Sequence, residues 1–85
     1  MNNLRFYKVE IDKEKIETFV REGFEEKLGT DNVVGTQLFS YPNELIVAVT
    51  VRKKTDETLE ISHELQETLI NSGLSVAVYA REAQP

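Results

Sequence analysis

Apolar and polar residues alternate along this chain in two rhythms, and the order of those rhythms is its most informative feature. Residues 4–11 (Leu-Arg-Phe-Tyr-Lys-Val-Glu-Ile) repeat with a period of two, which predicts a strand. Tyr7, Val9 and Ile11 share one face of it, and Phe6, Lys8 and Glu10 the other. Asp12 then offers a carboxylate to the free N–H groups of a first helical turn. From there to about Leu28, Ile16, Phe19, Val20, Phe24 and Leu28 recur every three or four residues, the stripe of an amphipathic helix. Gly23 lies on that stripe and is expected to let the helix sit close to the sheet. Lys13, Glu17, Arg21 and Glu25 form a ladder of alternating charge on the opposite side. Gly29 is a natural stop.

The period of two returns over residues 33–40 and 45–52. Tyr41-Pro42-Asn43-Glu44 between them has the proline and asparagine of a tight turn, so a hairpin is expected. Leu45 to Val51 is apolar except for Thr50, which reads as a central strand. It is also the segment most prone to aggregation, and Arg52-Lys53-Lys54 flank it as charged gatekeepers. Thr55 caps a second predicted helix whose first turn carries Asp56 and Glu57. Ile61, Ser62, Leu65 and Leu69 make its inward arc, and Gly73 ends it. Leu59 and Ile70 sit at the edge of that arc and are expected to pack under a neighbouring strand or loop, the alternative being that they widen a contact surface. A last strand is predicted over residues 74–81, with Val76, Val78 and Ala80 on one face and Ala77, Tyr79 and Arg81 on the other. Residues 82–85 read as a loose tail.

The order β-α-β-β-α-β, with right-handed crossovers, predicts a single α+β domain over residues 1–85 of ferredoxin-like type. Its expected form is a four-stranded antiparallel sheet, order 4-1-3-2 in predicted strands, with two helices on one face. An exchanged or barrel-like dimer of the same elements is the alternative.

That architecture leaves one sheet face bare. The predicted occupants of the bare face are Phe6, Lys8, Glu10, Gln37, Phe39, Ile46, Ala48, Thr50, Arg52, Ala77, Tyr79 and Arg81, and all of these except Glu10 and Arg52 are the expected contact residues. Half of this surface is apolar, more than water alone calls for. The expected function is therefore a small interaction or regulatory module that forms a homodimer or other homo-oligomer through the sheet face. RNA-recognition domains share this layering, but they stack bases on central-strand aromatics within positive charge. Here the central strand offers Ile46, Ala48 and Thr50, and the chain carries a net charge of −5, so no nucleic-acid partner is expected.

The 85 residues contain no cysteine, which excludes disulfides, thiolate metal sites and cysteine nucleophiles. No apolar run approaches the ~20 residues of a membrane span, and Met1 to Arg5 do not read as a signal peptide. A cytoplasmic protein without a membrane partner is the expectation. A chain this short exposes much of its surface even when folded, which favours association.

Candidate chemistry is sparse. Glu60, His63 and Glu67 lie along one side of the second predicted helix, and an E-x-x-H spacing can place a carboxylate and an imidazole on one divalent metal. Such a site needs ligands from elsewhere, so an acidic solvated face is the plainer reading and no cofactor is expected. Ser62 and His63 are adjacent on a helix and point about 100° apart, which makes no nucleophile–base pair. No glycine-rich phosphate loop is present. Glu10, beside Lys8, is the one carboxylate whose surroundings a dimer would change, and an enzyme built on a dimer cleft would use it as base. No enzyme is expected.

Residues 33–82 resemble in outline the cytosolic tail domain of cation diffusion facilitator transporters. The matching stretch is Thr58-Leu59-Glu60-Ile61-Ser62-His63-Glu64-Leu65. The resemblance implies a dimer and metal-binding histidines. Only His63 carries over; Gln37 and Leu38 stand where the family has histidine, and Tyr79-Ala80-Arg81-Glu82 lacks its aspartate. The likeness is mostly the shared strand–helix rhythm and assigns no family.

Overall fold

A computed structural model describes residues 12–84. Helix α1 spans Lys13–Leu28 and is followed by a single 3₁₀ turn at Thr30–Asn32. Strands β1 (Val33–Tyr41) and β2 (Glu44–Val51) form a hairpin, helix α2 covers Asp56–Asn71, and β3 covers Val76–Glu82. The strand expected over residues 4–11 lies outside the described residues.

Each helix starts and stops where its sequence dictates. Asp12 accepts a hydrogen bond from the Lys15 N–H at 3.2 Å and so satisfies a free first-turn donor. Gly29 ends α1 with φ of 91°, a left-handed conformation that only glycine adopts without strain. Thr55 caps α2 through a reciprocal pair with Thr58. The Thr55 hydroxyl accepts from the Thr58 N–H, and the Thr58 hydroxyl accepts from the Thr55 N–H. The far end closes as a Schellman motif, with Gly73 N–H on Ile70 O and Leu74 N–H on Leu69 O, and Gly73 at φ 92°.

The described sheet has three strands in the order β1-β2-β3 and is mixed. β1 runs antiparallel to β2, with Phe39 opposite Ile46 and Gln37 opposite Ala48. The loop is the two residues Pro42 and Asn43, as the turn chemistry predicts. β3 runs parallel to β2, with Val47 beside Val78 and Val49 beside Ala80. This differs from the expected all-antiparallel ladder. In the order 4-1-3-2 the first predicted strand would stand between these two, but they are hydrogen-bonded neighbours. The crossover through α2 is long enough for either arrangement. Residue pattern does not choose, because a strand buried on its helix face looks the same in both.

Leu45, Val47, Val49 and Val51 of β2 and Val76, Val78 and Ala80 of β3 line one face. Both helices pack on that face, with Ile16, Val20 and Phe24 from α1 and Ile61 and Leu69 from α2 in the same cluster. Burying such aliphatic surface is the main favourable term for a domain of this size. Gly23 faces Leu65 of α2. A Cβ there would come within 2.6 Å of the Leu65 side chain, so the glycine admits α2, not the sheet as its place on the stripe suggested.

Other positions add detail to the expected pattern. Phe19 is 38% exposed, because it sits on the shoulder of α1 that faces the gap between the helices. Leu59 and Ile70 are half exposed among the described residues. Residues 82 and 83 are not a loose tail: Glu82 ends β3, its carboxylate accepts from the Lys54 N–H at 2.8 Å, and Ala83 N–H donates to Val51 O.

Thr58 is fully buried, and its hydroxyl both donates to Thr55 O at 2.6 Å and accepts from Thr55 N–H at 3.0 Å. Valine keeps its shape and removes both bonds. Thr58→Val is expected to destabilise the fold by about 1–2 kcal/mol, read as a lower urea midpoint at unchanged slope.

Candidate interaction face

Because side chains alternate along a strand, the residues between those of the core project from the opposite side of the sheet. The register assembles them into three rows. Phe39, Ile46 and Ala77 form one, Gln37, Ala48 and Tyr79 the next, and Gly35, Thr50 and Arg81 the third. Both helices lie against the other side, so among the described residues this face carries no second layer. Eight of the twelve residues expected on the bare face are thus brought together; Phe6, Lys8 and Glu10 lie outside the described residues.

The rows differ in character. Phe39, Ile46 and Ala77 are partly buried by one another and make a continuous apolar band near the hairpin. Ala48 is fully buried in the middle of the central strand, flanked by Gln37 and Tyr79. Tyr79 stands out, 42% exposed. The third row is polar and tied down. The Arg81 guanidinium donates to the Thr50 hydroxyl at 2.9 Å and to the Gln37 side-chain oxygen at 3.1 Å, bridging all three strands. An arginine held by two hydrogen bonds thus stands beside an exposed tyrosine and an apolar band.

Tyr41 is a member that the sequence reading assigned to the turn. It is the last residue of β1, 53% exposed, two residues beyond Phe39 on the same face. Continuing the alternation by one more step finds it. Arg52 is drawn off this surface: its guanidinium donates to Asp31 O at 2.6 Å and its N–H to Asn32 O, anchoring the 3₁₀ turn.

Glu60, His63 and Glu67 are all exposed on α2. Among the described residues no three histidine or acidic side chains come together as metal ligands. The contact that does reach out from this side of α2 is an ion pair between Glu64 and Lys27 of α1 at 3.7 Å. Both side chains are more than half exposed, so it contributes little. Glu10, the candidate base, lies outside the described residues. No described helix is long and apolar enough to cross a membrane.

No protein-family model matches this chain, and no curated protein shows significant similarity to it. The outline likeness to the transporter tail domain therefore gains no support, and the face must be read from its own chemistry.

Arg81→Ala removes two exposed hydrogen bonds and no core contact. It is expected to cost about 0.5–1 kcal/mol by urea denaturation. A loss above about 2 kcal/mol would show that the bridge holds the sheet together instead of dressing its face.

Proposed function

We propose that the protein is a small interaction module that forms a homodimer by placing the open sheet faces of two copies against each other. One observation carries this reading: an apolar band of Phe39, Ile46 and Ala77, bordered by Tyr41 and Tyr79, lies on the side of the sheet that neither helix covers. A twofold contact is self-complementary, so a single apolar band serves both partners. The polar row of Arg81, Thr50 and Gln37 then forms a rim that sets orientation.

The layering of a ferredoxin-like domain, helices on one side and sheet open on the other, belongs to this proposal. Cytoplasmic action and a role in regulating another protein go with the same reading. The net charge of −5 argues against nucleic acid and anionic lipid as the matching surface.

Light scattering behind size exclusion is expected to give twice the mass of one 9.7 kDa chain. Tyr79→Glu and Phe39→Glu each place a charge in the apolar band. Both variants are expected to elute as monomers with unchanged helix content by circular dichroism. A monomeric wild type, or a dimer that survives both changes, overturns the reading.

A further inference from the structure

Among the described residues, the edge of β3 away from β2 pairs with no strand. Leu45 N–H donates to Ser75 O and Ala83 N–H to Val51 O, which fixes the odd-numbered residues of this ladder as the ones bonded to β2. In a parallel ladder the N–H and C=O of one residue point to the same side, and alternate residues point to opposite sides. Val76, Val78, Ala80 and Glu82 therefore turn their backbone groups outward. One of these is already satisfied in a telling way: Val78 N–H donates to the Gln66 side-chain oxygen at 2.9 Å. An amide side chain here makes the bond that a neighbouring strand would make.

An apolar ledge borders the same edge. Leu59, Gln66 and Ile70 are spaced seven and four apart and so share one flank of α2, the flank that Gln66 turns toward β3. Ile70 lines a hollow with Val76 and Ala77 at the start of the strand. Leu59 is 52% and Ile70 48% exposed. The edge of β1 is different. It is interrupted by a register shift between Val33 and Gly35, and Thr36 is bonded to Glu17 of α1 at 2.6 Å. A bulge and a polar overhang are the usual defences of an edge meant to stay unpaired.

We propose that residues Leu4–Ile11 of the same chain occupy the β3 edge as a fourth, antiparallel strand, displacing the Gln66 side chain from Val78. The eleven residues before Asp12 supply the length, since eight residues extend about 26 Å at 3.3 Å each and β3 has seven residues. Their point of attachment lies beside the start of β3: Lys13 lies in one hollow with Leu74 and Ser75, the residues that lead into β3. A segment ending there runs antiparallel to β3, with Ile11 opposite Val76, Val9 opposite Val78 and Tyr7 opposite Ala80. Val9, Ile11 and Tyr7 then cover the ledge of Leu59 and Ile70. Phe6, Lys8 and Glu10 join the open face beside Arg81, Tyr79 and Ala77. Three strands make a face only about 14 Å wide, and a fourth widens it by about 5 Å. The proposal does not depend on the face dimer, whose failure would leave the edge as it is.

NMR on the full chain tests it. Cross-strand contacts between the α-protons of Lys8 and Tyr79, and of Glu10 and Ala77, are expected, because these pairs are not hydrogen-bonded and lie closest. The Val76 and Ala80 amides are expected to exchange slowly with deuterium. Val9→Asp places a charge on the ledge and is expected to speed their exchange about tenfold or more, leaving Val47 and Val49 unchanged. Contacts from residues 4–11 to β1, or none to any strand, overturn the proposal. So do contacts to β3 that appear only between differently labelled copies, because the occupant is then a second chain.

Discussion

The rest of the structure depends on β2 being paired on both sides while only one of its faces is covered. Val47, Val49 and Val51 are fully buried under two helices, and among the described strands only β2 has a neighbour on each side. Two helices of sixteen residues are enough to cover one side of a three-stranded sheet and no more. Among the described residues the other side of the sheet is left uncovered for that reason. An 85-residue chain that spends its helices on one layer leaves surface for something else to meet.

Charge and capping hold this arrangement at its margins. The acidic first turn of α2 sits at the positive end of the helix, and Thr55 and Thr58 satisfy its free donors. Arg52 and Glu82 fasten the loops at the far end of the sheet, to Asp31 O and Lys54 N–H. These bonds are mostly exposed, so each contributes modestly, but together they fix where β2 and β3 end. The open face and the β3 edge are shaped by the same pairing. One presents side chains, the other backbone.

Much of the candidate face was legible because a period of two is a strong constraint. Once Val47, Val49 and Val51 are assigned inward, Ile46, Ala48 and Thr50 must point outward, and the hairpin turn carries that assignment to Gln37 and Phe39. Tyr41 was obscured by the proline that follows it, which drew it into the turn. Phe19 was misjudged for another reason. Helical periodicity names a stripe, but its width is set by what packs there, and among the described residues nothing covers the shoulder of α1 that carries Phe19.

The sequence by itself determined both described helices, their caps, the hairpin and which residues share a sheet face. These are local properties, set by backbone sterics, free helix donors and the alternation of side chains. Tertiary structure alone decided that β2 and β3 are direct parallel neighbours. It also decided that Gly23 makes room for Leu65, and that Gln66 caps a strand edge. Each of these depends on two segments far apart in the chain meeting in space. A residue pattern read along one segment carries no record of its partner.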